Sequence, residues 1–301
     1  MKSIGLLFIL ISLQVMTLSC NQADPKERVS KNNLASEPSA YLKLHAKNPV
    51  NWQPWGEETL QAAQELDKLI VISIGYVSCH WCHVMEEESF SDEATAAKMN
   101  EHFISVKVDR EEQPGVDKAY MNVAYLINGN GGWPLNVIAL PDGRPLFAGT
   151  YMSIKQWNRL LDLFIKTKQE DVSKLVQQAE ALTEGLNTFE DISLDSDRLL
   201  DRTMMTGVAD TLLRYADKKL GGVFGSPKFP NPPRLEFQMQ LANTIGNEAL
   251  QQHTLFTLDQ ILNGGIYDHL AGGFFRYSTD AFWRVPHFEK MLYDNAQLIG
   301  V

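Results

Sequence analysis

Leu69-Ile70-Val71-Ile72-Ser73-Ile74-Gly75-Tyr76-Val77-Ser78-Cys79-His80-Trp81-Cys82-His83-Val84-Met85 is the stretch that decides the fold. Leu69 to Tyr76 is apolar and rich in β-branched residues, the signature of a strand buried on both faces. After Cys79 the apolar spacing becomes helical as far as about Phe90. Cys79 and Cys82 therefore fall where a buried strand hands over to a helix.

Working outward, Glu57 to Asp67 reads as a helix, with Leu60, Ala63 and Leu66 at helical spacing. Ser91 or Asp92 is placed to cap a helix from Glu93 to His102. Ile104 to Val108 alternates as a strand ending at Asp109, and Val116 to Ile127 is helical until a glycine- and asparagine-rich break. Leu135 to Leu140 is a strand, Asp142-Gly143 a hairpin turn, and Leu146 to Gly149 the return strand. Ser153 to about Leu186 is one long helix or a broken pair. The order β-α-β-α-β-β-α needs helical crossovers for its parallel pairs and closes on an antiparallel hairpin. With a CxxC opening a helix beside the sheet, it matches the thioredoxin fold, an α/β class. Trp133-Pro134 opens the third of these strands, where that fold places a cis-proline facing the CxxC; proline is tolerated at a strand's first residue.

The chemistry follows from the spacing. Cys79 at a helix N-terminus, with its sulfur exposed, is the candidate attacking thiol, because that position favours the reactive thiolate. Cys82 lies beneath it as the resolving thiol. His80, when protonated, stabilises the Cys79 thiolate; His83, one helical turn on, adds to this or carries a proton. Trp81 and Trp133 are the candidate aromatic contacts for a substrate, with core packing the other reading of Trp81; Val84 and Met85 are core, and Glu86 to Glu88 a solvated helix face. Two other readings use the same pair: half of a zinc site completed by His83 and a distant ligand, or a structural disulfide or idle thiols. Structural zinc usually shows two paired ligand sets, and the chain has no second CxxC. No metal or other cofactor is assigned. Trp52 and Trp55, in the segment Asn48 to Trp55, read as packing of an irregular stretch, His45 as structural, and Asp109 as a cap or ion-pair partner.

The chain has 301 residues, a net charge of −10, 44% hydrophobic and 21% charged residues. These values describe a globular protein of about two domains and argue against a nucleic-acid binder, which needs a basic face. Of three cysteines, Cys20 follows an apolar run from Ile4 to Val15, shorter than the ~20 residues of a spanning helix. This reads as a signal peptide over residues 1–19 with Cys20 lipidated, then a polar tether over 20–33. The expected location is extracytoplasmic, with the lipid as the only membrane contact.

The last third differs in kind. A polar linker over 187–202 precedes helical patterns at Thr203–Leu220, Arg234–Ala242, Glu248–Leu262 and Phe288–Ile299. Between them lie loops dense in glycine, proline and aromatics, and strands are not expected. The loops bring forward Tyr267, Asp268, Arg276, Trp283, His287, Glu289 and Asp294; aromatic faces with carboxylates suit sugar rings, and loop packing uses the same residues.

Several stretches carry a family resemblance: YLKLHAKNPVNWQPWGE (41–57), IGYVSCHWCHVM (74–85), VKVDREE (106–112), GGWPL (131–135), PKFP (227–230) and PHFEKMLYDNAQL (286–298). The chain resembles the thioredoxin-domain family of spermatogenesis-associated protein twenty and its bacterial relatives. The resemblance implies a thioredoxin-like domain over 34–186, followed over 203–301 by a partial (α/α) toroid similar to six-hairpin glycosidases and N-acylglucosamine 2-epimerases. It marks Cys79 and Cys82 as the redox pair and Pro134 as the cis-proline. Gln113, Gly115, Met152, Ser153 and Asn51 depart from the family pattern and leave that motif untouched. The expectation is a thiol–disulfide oxidoreductase acting on a protein thiol or disulfide; the second reading is a sugar ligand in the helical part, and the third a non-catalytic scaffold.

Overall fold

Seven consecutive buried residues, Leu69–Gly75, form the strand around which the first half of the chain is built. A computed structural model describes residues 24–190 and 201–301, and these divide into two compact units, one on either side of residue 192. Residues 1–19, Cys20 and most of the expected linker lie outside the described residues.

The first unit holds a five-stranded sheet of β1 (Gln53–Pro54), β2 (Leu69–Gly75), β3 (Phe103–Asp109), β4 (Leu135–Ala139) and β5 (Pro145–Gly149), in the order β1-β3-β2-β4-β5. β2 runs parallel to β3 with Ile72 opposite Val106, and antiparallel to β4 with Ile74 opposite Leu135. β4 and β5 close as the expected hairpin, with Gly143 at φ +88° in its turn. A left-handed residue there strongly favours glycine. This is the thioredoxin-like strand order. β2, β3 and β4 are buried along their whole length, which is why their sequences read as nearly continuous apolar runs. Helices Glu57–Glu65, Glu93–His102 and Pro114–Asn128 supply the connections, the second capped by Asp92. The long C-terminal helix is a broken pair, Ile154–Glu170 and Val172–Glu190, interrupted at Asp171.

Three expectations change here. The segment Asn48 to Trp55 is not wholly irregular, because Gln53–Pro54 pairs in parallel with Val106–Lys107 at the sheet edge. Residues 24–33 are not a loose tether. The Asn32 amide donates to the carbonyls of His45 and Val50, Asn33 N–H donates to the Trp52 carbonyl, and Arg28 pairs with Glu65. Glu86 is not simply solvated, as described below.

The second unit contains helices Arg202–Arg214, Pro232–Ile245, Glu248–Asn263 and Leu292–Leu298. It also contains a short antiparallel pair, β6 (Tyr277–Ser278) and β7 (Pro286–His287), where no strand was expected. Two of the predicted helices are shorter than their patterns. The first ends at Arg214 because Asp217 turns the chain, accepting N–H bonds from Lys219 and Leu220 and pairing with Lys228. The last begins at Leu292 because residues 286–289 are held in extended pairing, where Arg276 N–H donates to the Glu289 carbonyl. Among the described residues, the apolar side chains of this unit gather in two clusters, one around Leu241 and Leu250, the other around Leu235, Ile261 and Trp283.

Candidate functional site

β2 ends at Gly75, and the turn that follows delivers Cys79 to the start of helix His80–Met85. Cys79 N–H donates to the Tyr76 carbonyl, and the Cys79 carbonyl accepts from Cys82 and His83, which fixes the cysteine as the helix cap. Cys79 and Cys82 are joined as a disulfide, their Cα atoms 5.2 Å apart. The expected exposure of Cys79 is corrected: it is only 3% exposed in this oxidised state. The bond ties it to Cys82, which lies on the buried face of the helix. Around the disulfide, Val77 and Trp81 are 48% and 49% exposed, and His80 is exposed as well. Exposed Val77, His80 and Trp81 thus flank a buried sulfur pair in the sequence of the turn and helix start.

Trp133-Pro134 is cis, as expected, and Pro134 is buried. Leu135, directly after it, pairs with Ile74, so the proline stands at the same end of the sheet as the CxxC turn. Trp133 is less free than a substrate contact would be. Its indole N–H donates to Asp117 Oδ1 at 2.7 Å, Arg110 covers its ring at 4.0 Å, and its edge meets Tyr76. Burial pushes the Asp117 carboxyl up, against the pull of the Trp133 hydrogen bond and Arg110. Trp81 lies against Tyr151 with ring centres 4.8 Å apart, and the Tyr151 hydroxyl donates to Glu88.

His83 donates from Nε2 to the Val77 carbonyl at 2.8 Å, which leaves Nδ1 facing Glu86 at 3.9 Å. Glu86 opens a wide helical turn, Glu86–Phe90; turns of this π type recur at functional sites. Its carboxylate accepts from the Asn48 amide at 3.1 Å and sits 3.6 Å from His45 Nδ1. His45 is structural, as expected: fully buried, with Nδ1 donating to Asn48 Oδ1. Burial, and then the charge on Lys107, hold it well below the usual histidine range, so it is neutral. Asp109, read as a cap or ion-pair partner, instead accepts from the Ser39 hydroxyl and the Glu111 N–H.

Sequence reading did not single out Tyr41, Ser73 or Lys107. Lys107 lies on β3 with no exposed surface, its ammonium 3.0 Å from Ser73 Oγ and over the rings of Phe90 and Trp52 at 4.5 and 4.8 Å. Burial brings its pKa down from 10.5 to about 7, opposed by Glu86. The signal was present as a lysine at an inward position of an apolar strand, where a charge is rarely unpaired. Tyr41 is fully buried, its ring edge-on to His45, and its hydroxyl has no hydrogen-bond partner among the described residues.

In the second unit most of the residues expected at a sugar site make contacts within the fold. Trp283 is 1% exposed, donates to the Leu220 carbonyl, and belongs to the core cluster, so it offers no ring face. Asp268 accepts from the N–H groups of Leu270 and Ala271 and from Lys290, which hold its carboxyl far below the usual range. Tyr267 packs on His269 and Phe274, Arg276 reaches Tyr293 and Asp294, and His287 stacks on Tyr277. The Glu289 side chain is exposed. The loops do meet, but a cavity of about 230 Å³ in this unit is lined by other residues, including Phe229, Arg234, Gln238 and His253.

No group of three or more metal-ligating side chains is found among the described residues. No helix among them is long and apolar enough to cross a membrane.

Strand order, register and the CxxC at the end of β2 define a thioredoxin-like protein with a cysteine pair. The family model Thioredox_DsbH, described as "Protein of unknown function, DUF255", matches residues 31–187. The chain belongs to this family. It is 40% identical over 291 residues to Spermatogenesis-associated protein 20 of Rattus norvegicus, covering 92% of this chain and 37% of that protein. The human counterpart is 42% identical over 280 residues, with 89% of this chain and 36% of that protein covered. The chain therefore spans little more than a third of these relatives' length. Among solved structures, one titled "DsbH Oxidoreductase" aligns at 17% identity and a TM-score of 0.32, covering 48% of this chain and 99% of that one. A thioredoxin from Thermus thermophilus aligns at 16% identity and 0.34, covering 40% and 89%. At such scores the alignments add nothing to the fold assignment, which rests on strand order and register.

Proposed function

We propose that the first unit exchanges thiols and disulfides with a protein partner through Cys79 and Cys82. The observation that carries the reading is the Cys79–Cys82 disulfide capping a helix at the end of the central strand, with exposed Val77 and Trp81 beside the cysteines in the chain. A partner thiolate attacks Cys79 Sγ, the S–S bond breaks, and Cys82 leaves as a thiolate. A second partner thiolate then attacks the partner's own sulfur in the mixed disulfide and releases Cys79. Thiolate attack through a mixed disulfide is the general route of such exchange. In the reverse direction, with a disulfide partner, the Cys79 thiolate of Cys82→Ser should attack and accumulate a mixed disulfide that serine cannot resolve, and replacing Cys79 should abolish turnover of a dithiol substrate. Full turnover by Cys79→Ser would refute the proposal.

The proposal extends to Cys20 as a lipidated anchor outside the cytoplasm, supported by the apolar run that precedes it. Cys20→Ala should then abolish incorporation of labelled fatty acid; unchanged labelling would refute it.

A further inference from the structure

Gly75 is the last residue of β2, and the space beside it is unusually contested. A Cβ built there would overlap the Tyr41 hydroxyl oxygen and stand 2.6 Å from Cys82 Sγ. Position 75 is therefore occupied, in effect, by a phenol and a sulfur that approach each other across a bare Cα. The Tyr41 hydroxyl is fully buried and has no hydrogen-bond partner among the described residues. Such an orphan carries a desolvation cost with no hydrogen bond to offset it. Nothing about the packing requires a hydroxyl; phenylalanine would fill the same volume.

The orphan is intelligible once both redox states are considered. A disulfide sulfur is a poor acceptor, whereas a thiolate takes a charge-assisted hydrogen bond roughly twice as strong as a neutral one. We infer that Tyr41 is the hydrogen-bond donor to the Cys82 thiolate when the Cys79–Cys82 bond opens, and that its hydroxyl is held unpaired in the oxidised protein for that purpose. The inference rests on the exchange reading above and deepens it. A partner protein dithiol loses two electrons and becomes a disulfide, and the Cys79–Cys82 bond gains them. Of the two protons released by the partner thiols, those not taken up by the cysteines go to solvent. Tyr41 shares its proton with Cys82 Sγ and keeps it.

The surroundings agree with a donor that stays protonated. Burial first, then the charges of Asp109 and Glu86, hold the Tyr41 phenol well above its ordinary range. Lys107 lies over the same ring at 5.4 Å, and neutral His45 meets its edge. Both features of the arrangement favour the reduced protein. The oxidised form carries the unpaired hydroxyl, and the reduced form pairs it.

The test is Tyr41→Phe, equilibrated with reduced and oxidised glutathione and read by alkylation of free thiols. The equilibrium should move at least about tenfold toward the disulfide, which for a two-electron couple is a potential about 30 mV lower. Urea unfolding of each redox form supplies a second readout. The oxidised variant should be as stable as the wild type or more so, and the reduced variant less stable. A packing role would lower both forms alike and leave the equilibrium where it was; that result overturns the inference. A wild-type pair that never equilibrates with glutathione overturns the exchange reading and this inference together. A normal wild-type couple indifferent to Tyr41→Phe overturns the inference alone.

Discussion

Replacing Lys107 with methionine should stabilise the first unit at neutral pH and remove a pH dependence that the wild type shows. The lysine is fully buried, and desolvation brings its pKa from 10.5 to about 7. At about 1.4 kcal/mol per pH unit, that gap makes holding the side chain cost on the order of 4 kcal/mol at pH 7. Between about pH 7 and 10.5 the unfolded chain binds the proton and the folded chain does not. Stability therefore rises with pH in that window, by up to about 1.4 kcal/mol per unit, and is flat below it. Methionine fills similar volume without a charge, at the loss of one hydrogen bond to Ser73, about 1 kcal/mol. Urea denaturation of the oxidised protein at intervals from pH 6 to about pH 10 gives the comparison. The variant should lead by a few kcal/mol at pH 7, with the gap closing as pH rises. Parallel curves, or a variant less stable throughout, would show that the ring faces of Trp52 and Phe90 hold the ammonium without loss, and would refute the reasoning.

Two further outcomes follow from the geometry. Trp81→Ala should raise KM for a protein dithiol about tenfold, since exposed tryptophans at docking surfaces carry binding energy of this order, while the glutathione equilibrium stays unchanged; a shift in the equilibrium without a change in KM would place Trp81 in the electronics of the pair instead. Asp217→Ala leaves the Lys228 ammonium buried without its carboxylate, and should destabilise the second unit by about 3–5 kcal/mol; hydrogen exchange resolved by unit should show the loss there and not around β2, and Asp217→Ala with Lys228→Met should recover much of it.

The sequence by itself determined the thioredoxin-like core. β2, β3 and β4 are buried on both faces, so their apolar runs are legible without knowing their neighbours. The helices between them are amphipathic, and Cys79-x-x-Cys82 and Trp133-Pro134 are punctuation at fixed places in that order. Tertiary structure decided whatever depends on partners distant in sequence. Two-residue β1 exists only because Val106 and Lys107 lie beside it, and β6 and β7 only because they pair with each other. Trp283 resembled a ring platform in a loop, yet a core cluster closed over it. Glu86 looked solvated because the neighbours that claim it, His45 and Asn48, arrive from a segment far upstream. The same long-range packing sets Tyr41 beside Cys82 across Gly75. No local pattern encodes that contact, because a phenol and a thiol share no periodicity and meet only when two segments fold over a missing side chain.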